Sequence, residues 1–580
     1  MTLRPDDFAA IESAGPAVFT RDGRSVLFLR GSGLAQIWAL DLATGAMRQQ
    51  TFHDEKVAMI RRSPVDDRVI YGIDRGGDER QQLMLLDPPR ALTADHGVIH
   101  DWGGWSPDGT RIAYAANPRD EAHFDVFIQD LHASDRSCLW EGTGIVAVAG
   151  FRPDGSALAV LEDRGYGEMS LLLVDVATGA AARFPQPSGT NYQSVRWTSD
   201  GRALMALTDH GGGNFLRLCR LEPDSGTVIV VYAAPNRDVE AWALSPDGTL
   251  LATVENDHGF GLLRVGPTNG DRPPVEGMPC GIAGDLAFSP DSRSLVFTAT
   301  APAEPQGLWL WQDGAARPLW RPEAPPGCVD WALVGWMSFD DTFIPGWLAL
   351  PPGPVPAGGH KAIIWVHGGP VGQTRPNFRS DIQMLVAQGF AVLMPNVRGS
   401  SGYGRAFAES DDREKRPGCV TDLVLGRHWL AAHPAIDAER IGIMGQSYGG
   451  YMVNAAVTEH PDLWKAAVCY YGIVDFVTTL AGTGPWRRGH RAAEYGDAAL
   501  FARISPIHRV DRICVPMLVA HGERDPRVPI GESEQLVAAL RARQQPVTYL
   551  TFDYAGHGFV RPDDKRRIYA AVADFFARYL

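Results

Sequence analysis

A turn motif recurring seven times in the first half of the chain, and one strand–turn–helix passage with a serine at its apex in the second, predict the fold class: an N-terminal seven-bladed β-propeller followed by a C-terminal α/β-hydrolase domain. A chain of 580 residues is also too long for a single hydrophobic core, which agrees with two domains.

The recurring turn has the form Ser-Pro-Asp-Gly or a near variant, set between an aromatic or apolar residue and a short β-rich run. Its aspartates fall at Asp22, Asp67, Asp108, Asp154, Asp200, Asp247 and Asp291, in steps of 45, 41, 46, 46, 47 and 44 residues. A period in the forties with short alternating strands matches four-stranded propeller blades. Proline presets φ, aspartate bonds its own backbone and glycine accepts positive φ, so each unit makes a β-turn. The instances place the propeller at residues 15–322. Residues 1–14 carry no blade signal and are free to pack back on the hydrolase domain. A proline-rich break at residues 321–327 marks the crossing between domains, and the hydrolase domain takes residues 323–580. Two strands joined at Asp340-Asp341 are expected to open its sheet as an antiparallel pair. From Lys361 on, strands alternate with helical stretches.

The chemistry centres on Gly445-Gln-Ser447-Tyr-Gly449-Gly450, which follows the apolar run 441–444 and precedes a helical stretch. Such a nucleophile elbow presents the serine hydroxyl at the top of the sheet and requires its acid and histidine to follow, in that order, after later strands. Asp525 follows the apolar run 515–521, and His557 follows the run 547–552. His557 would take the Ser447 proton, and Asp525 would fix its tautomer and stabilise the imidazolium. Glu523 is the rival acid. His367 and His521 sit at strand ends as loop-ordering residues. An oxyanion hole needs two backbone donors: the N–H of Tyr448, which follows the nucleophile, and one from His367-Gly-Gly-Pro370. Pro370 has no N–H, so the second donor is Gly368 or Gly369, with Gly369 preferred. Tyr471, Phe476 and Trp486 are candidates to line an apolar pocket for the residue before the cut.

Composition narrows the partners. Net charge is −14 with no basic cluster to offset it, which argues against nucleic acid. The 7 cysteines are scattered without CxxC or Cys/His spacing, so neither a metal site nor a disulfide framework is expected. No cofactor is called for. No secretory signal is visible and no stretch is long and apolar enough for a bilayer, so a cytoplasmic location without membrane partners is expected.

The motifs His367-Gly-Gly-Pro370, Asn396-Val-Arg-Gly-Ser-Ser-Gly-Tyr-Gly404, Gly445-Gln-Ser-Tyr-Gly-Gly-Tyr-Met452 and Gly556-His-Gly558, behind a propeller, resemble the prolyl oligopeptidase family of serine peptidases. The acylaminoacyl-peptidase branch is the nearest in pattern. The resemblance implies the triad Ser447, Asp525 and His557, with Tyr448 and Gly369 as oxyanion donors. It also implies that Arg527, two residues after the acid, binds a substrate carbonyl, and that the propeller admits only short peptides or small amides. Dipeptidyl peptidases of the family hold a free amino terminus with propeller carboxylates. Glu79, in the charged loop 74–80, could do so, but the loop reads as a solvated one and the pattern leans away from an aminodipeptidase. The expected function is therefore a serine peptidase for short or N-blocked peptides, acting through an acyl-enzyme. The same triad cleaves small esters and amides, so a non-peptide amidase or esterase is the alternative. Self-association of the chain is left open.

Overall fold

A computed structural model describes residues 3–132, 135–165 and 167–580. Seven antiparallel sheets, each contiguous in sequence, occupy residues 13–49, 57–91, 100–141, 146–183, 192–232, 239–267 and 282–320. Six of them have four strands and the sixth in order has three. The repeated turn explains their regularity. In the third blade Ser106 Oγ donates to Asp108 Oδ1 at 2.6 Å, the Gly109 N–H donates to the Ser106 carbonyl at 2.9 Å, and Gly109 takes φ +67. The Ser106 hydroxyl and the Thr110 groups hold the Asp108 carboxyl down at about 2. The same pattern recurs at Ser245 and Asp247, and at Ser289 and Asp291. The motif is thus a hydrogen-bonding device as well as a bend.

A blade is apolar on both faces and buries them against its neighbours. Val126 and Ala113 of the third blade pack on Val146 and Val160 of the fourth. The ring closes by apolar packing, without strand pairing between the described residues of the two blades: Phe19 and Phe28 of the first blade meet Val296 and Leu308 of the seventh. Gln306 Nε2 reinforces the seam by donating to the Ala14 carbonyl at 2.8 Å.

The second domain is one eight-stranded sheet. Its strands are β1 (Ala332–Met337), β2 (Phe343–Ala349), β3 (His360–Val366), β4 (Ala391–Pro395), β5 (Ile436–Gln446), β6 (Ala467–Tyr470), β7 (Met517–Gly522) and β8 (Val547–Phe552). The spatial order is β1-β2-β4-β3-β5-β6-β7-β8. β1 pairs antiparallel with β2, and β2 antiparallel with β4. Every later pairing is parallel. Strands buried on both faces read as continuous apolar runs, and β3, β4 and β7 do so because helices cover both sides. Its helices include α1 (Pro417–Ala431), α2 (Tyr448–Glu459), α3 (Phe476–Gly482), α4 (Pro485–Tyr495) and α5 (Pro562–Tyr579). A helical turn at Asp6–Ala9 precedes the propeller, yet its Phe8 is buried in the hydrolase core with Phe390 and Phe576. The Gln388 amide donates to the Leu3 carbonyl at 2.8 Å beside it.

Loops at the carboxyl ends of the parallel strands face the propeller, and polar contacts cross between the domains. Arg405 meets Asp209 at 2.8 Å and Arg375 meets Glu240 at 2.8 Å. Asn256 donates to Gln373 at 2.7 Å, and Tyr554 to Glu55 at 2.5 Å. No helix among the described residues is long and apolar enough to cross a membrane, and no group of three or more His, Cys, Asp or Glu there is placed to hold a metal ion.

Candidate active site

The elbow forms as its glycines require. β5 ends at Gln446, Ser447 takes φ +57 and ψ −122, and α2 begins at Tyr448. That conformation is costly for a residue with a side chain, and the surrounding packing must hold it. A Cβ on Gly445 would lie 2.5 Å from the Gly449 carbonyl oxygen, and one on Gly449 would lie 2.2 Å from the Val366 carbonyl oxygen. Helix and strand therefore approach closely only because both positions lack a side chain.

The loops after β7 and β8 bring the other two residues together. His557 Nδ1 lies 2.6 Å from Asp525 Oδ2. The backbone N–H groups of Arg527 and Val528 donate to Asp525 Oδ1 at 2.8 and 3.0 Å. His521, fully buried, accepts at Nδ1 from the Ser533 hydroxyl at 2.7 Å, and its Nε2 donates to the Val528 carbonyl at 3.0 Å. That Nε2 also stands 3.4 Å from Asp525 Oδ2. Burial alone would push the Asp525 carboxyl up, yet the hydrogen bonds from His521 and His557 hold it below the usual carboxylate range. Asp525 is thus an ionised acceptor for His557. Glu523, the rival acid, instead makes a single hydrogen bond among the described residues, from its backbone N–H to the Phe552 carbonyl at 2.9 Å.

Ser447 and His557 border one cavity of about 470 Å³, together with Gly368, Gly369, Tyr471 and Arg527. Tyr448 opens α2, so its N–H has no intrahelical partner. A Cβ on Gly368 would lie 3.1 Å from Ser447 Cβ, which sets the His367-Gly-Gly loop directly against the serine. Gly369 takes φ +146, a conformation suited to glycine.

The Tyr448 side chain anchors the elbow from below. Its hydroxyl donates to Asp411 Oδ2 at 2.8 Å and accepts from Arg416 Nη1 at 2.5 Å. Arg416 and Asp411 are fully buried and pair at 3.0 Å. Among the described residues the buried Oδ1 of Asp412 has no hydrogen-bond partner, and burial first, then the neighbouring Asp411, pushes its carboxyl up to about 7. A carboxyl raised in the folded state binds a proton that the unfolded chain releases near pH 4, so its contribution to stability falls as pH rises from about 4 to 7. Asp412→Asn is expected to raise Tm by about 2 °C at pH 8, the group being half exposed. At pH 4 the gain should vanish. Calorimetry showing equal gains at both pH values would remove titration as the cause.

The remaining predicted site residues divide. Tyr471 stands at the site: its ring centroid is 4.6 Å from that of His557 and its hydroxyl donates to Gln446 Oε1 at 3.0 Å. Phe476 does not line a pocket. It is fully buried and packs on Tyr451, Tyr495 and Phe501 at 4.8, 5.1 and 5.5 Å. The Asp475 carboxylate caps α3 by accepting from the Val477 N–H at 2.9 Å, and that start turns Phe476 inward. Trp486, on the first turn of α4, leaves the serine and packs against the blade cluster of Phe124 and Val146. It faces a cavity of about 560 Å³ between the domains.

Arg527 borders that cavity, the one holding His557, and a third of about 200 Å³ that also meets Ser447. Its Nε donates to Glu79 Oε1 at 2.5 Å. Glu79 corrects the solvated-loop reading. It takes φ +59, enters the interdomain cavity, and its second oxygen lies 3.3 Å from Arg487 Nη1. Arg487 and Arg491 have no place among the residues that the sequence motifs single out. Their i, i+4 spacing puts both on one face of α4.

Residues 376–580 match the model of the prolyl oligopeptidase family, and residues 102–317 match that of the TolB beta propeller domain. Dipeptidyl aminopeptidase BIII of Pseudoxanthomonas mexicana is 28% identical over 565 residues, which cover 89% of this chain and 79% of the relative. The acylamino-acid-releasing enzyme of Rattus norvegicus is 25% identical over 597 residues, covering 83% and 81%. Among solved structures, a puromycin-hydrolyzing peptidase of Mycobacterium tuberculosis aligns over 100% of this chain and 96% of its own, with a TM-score of 0.88 and 20% identity.

Proposed function

Since this chain belongs to the prolyl oligopeptidase family of serine peptidases, we propose that it hydrolyses short peptides bearing a free amino terminus, through an acyl-enzyme on Ser447. The observation that carries the free-amine reading is Glu79: a propeller carboxylate, held in a left-handed conformation, reaches into the cavity beside Arg527. A substrate ammonium would meet Glu79 while Arg527 takes the adjacent peptide carbonyl. The dipeptidyl aminopeptidase among the relatives supports the same reading.

Ser447 Oγ attacks the scissile carbonyl as His557 removes its proton, and Asp525 stabilises the imidazolium. The N–H groups of Tyr448 and Gly369 receive the oxyanion. His557 then protonates the leaving amine, and water repeats the sequence on the acyl-enzyme. The contacts between the domains enclose this chemistry, so entry requires an opening between them and long or folded chains are shut out.

One observation favours a second reading, N-blocked peptides: both Glu79 oxygens already face guanidinium groups, Arg527 and Arg487. A panel separates the two. It holds free-amine dipeptidyl p-nitroanilides, acetylated aminoacyl p-nitroanilides, a blocked tripeptide amide and a p-nitrophenyl ester. Free-amine substrates should lead in kcat/KM, and Glu79→Gln should cost them about 10- to 100-fold while sparing the acetylated ones. Acetylated substrates leading would establish the second reading. Ester cleavage alone would turn the search to non-peptide amides and esters.

A further inference from the structure

Ser447 meets a small cavity distinct from the one holding His557. His557 must reach the departing amine, so the cavity it borders takes the leaving-group side. The cavity of about 200 Å³, bordered by Ser447, Thr479, Thr483, Arg487, Arg491 and Arg527, then takes the acyl side. Its walls carry three guanidinium groups. Glu79 serves two of them, Arg527 at 2.5 Å and Arg487 at 3.3 Å. Glu494, buried, serves Arg491 at 2.5 Å, and Arg491 also donates to the Gly369 carbonyl at 3.4 Å. Three cations thus share two carboxylates beside the nucleophile. Among the described residues the Arg487 guanidinium makes a single hydrogen bond, that to Glu79, and it is largely withdrawn from solvent. Burial, followed by the like charges of Arg527 and Arg491, pushes its pKa down, the signature of a cation short of an anion.

Resting on the peptidase reading above, we propose that this pocket selects an acidic side chain, Asp or Glu, on the residue before the scissile bond, and that Arg487 is the guanidinium that receives it. A carboxylate there would complete the charge balance and gain charge-assisted hydrogen bonds from a planar donor fork. Apolar side chains, by contrast, would leave desolvated donors without acceptors. The preference for an apolar residue expected from the aromatic residues near the site is thereby replaced: Phe476 and Trp486 lie elsewhere, and arginines stand where they were expected.

The test is a series of free-amine dipeptidyl p-nitroanilides differing only in the second residue, Ala, Leu, Lys, Asp or Glu. Each is assayed with wild type, Arg487→Gln, Arg487→Glu and Ser447→Ala. In wild type the better acidic substrate should exceed Leu at least 10-fold in kcat/KM. The acidic-to-Leu ratio should fall at least 10-fold in Arg487→Gln, and in Arg487→Glu the Lys substrate should overtake the acidic ones. Leu or Ala cleaved as well as Glu by wild type would overturn the proposal, and this ratio decides even where a variant does not fold. A ratio unmoved in active Arg487 variants would overturn the role of Arg487. If no substrate in the series is cleaved in a Ser447-dependent way, the peptidase reading fails first and the specificity with it.

Discussion

Replacing Ser447 by Ala is expected to lower kcat on any cleaved peptide amide by at least about 10⁴-fold, roughly 5.5 kcal/mol of transition-state stabilisation, while the fold is kept. The side chain is only half buried and faces the cavity rather than the core, so losing one oxygen leaves no packing defect. His557→Ala should cost about as much, and the double variant little more, because the two groups act as one unit. Labelling by a fluorophosphonate should disappear with Ser447 and persist in Asp412→Asn. Retained activity in Ser447→Ala would mean that the chemistry is elsewhere.

Asp525→Asn is expected to lower kcat by about 10⁴-fold and to lower Tm at pH 7 without unfolding the loop. The amide would still accept from the Arg527 and Val528 N–H groups, so the loop should hold. His557 would then meet an N–H₂ as readily as an oxygen at 2.6 Å, and the wrong tautomer would present N–H to Ser447. Activity should recover partly at high pH, where hydroxide substitutes for the lost base. The buried carboxylate also contributes to stability. Its folded-state pKa is depressed, so that contribution is present above pH 4 and is lost only as pH falls through the lower value. Wild type and Asp525→Asn should therefore converge in Tm on acidification. A variant with full activity at pH 7 would take Asp525 out of the reaction.

The parts of this molecule legible in its sequence are those written in short-range physics. The propeller announces itself because Ser106, Asp108 and Gly109 satisfy one another within four residues, and the same device recurs along the chain. The elbow is equally local: a Cβ at Gly445 or Gly449 would lie 2.5 or 2.2 Å from a backbone carbonyl oxygen, so both positions must be glycine. The order of Ser447, Asp525 and His557 is legible because parallel strands deliver their following loops to one edge of the sheet.

Residues whose role depends on which face a helix turns inward were not legible. Phe476 and Trp486 belong to adjacent short helices, α3 and α4, and the pattern of neither says which other element its face will meet. A cap at Asp475 sends Phe476 into the core, and the approach of a propeller blade draws Trp486 away from Ser447. Glu79 and Arg527 are 448 positions apart, and nothing local to either predicts the ion pair between them.

The sequence by itself determined the two-domain architecture, the blade count and the order of a candidate nucleophile and its two candidate partners, because turn chemistry, strand pattern and the sterics of glycine act over a few residues. Only the tertiary structure decided what surrounds Ser447. The charge of the pocket is set where a propeller loop and a hydrolase helix meet, and charges brought together from distant segments interact strongly only once folding has excluded the water between them.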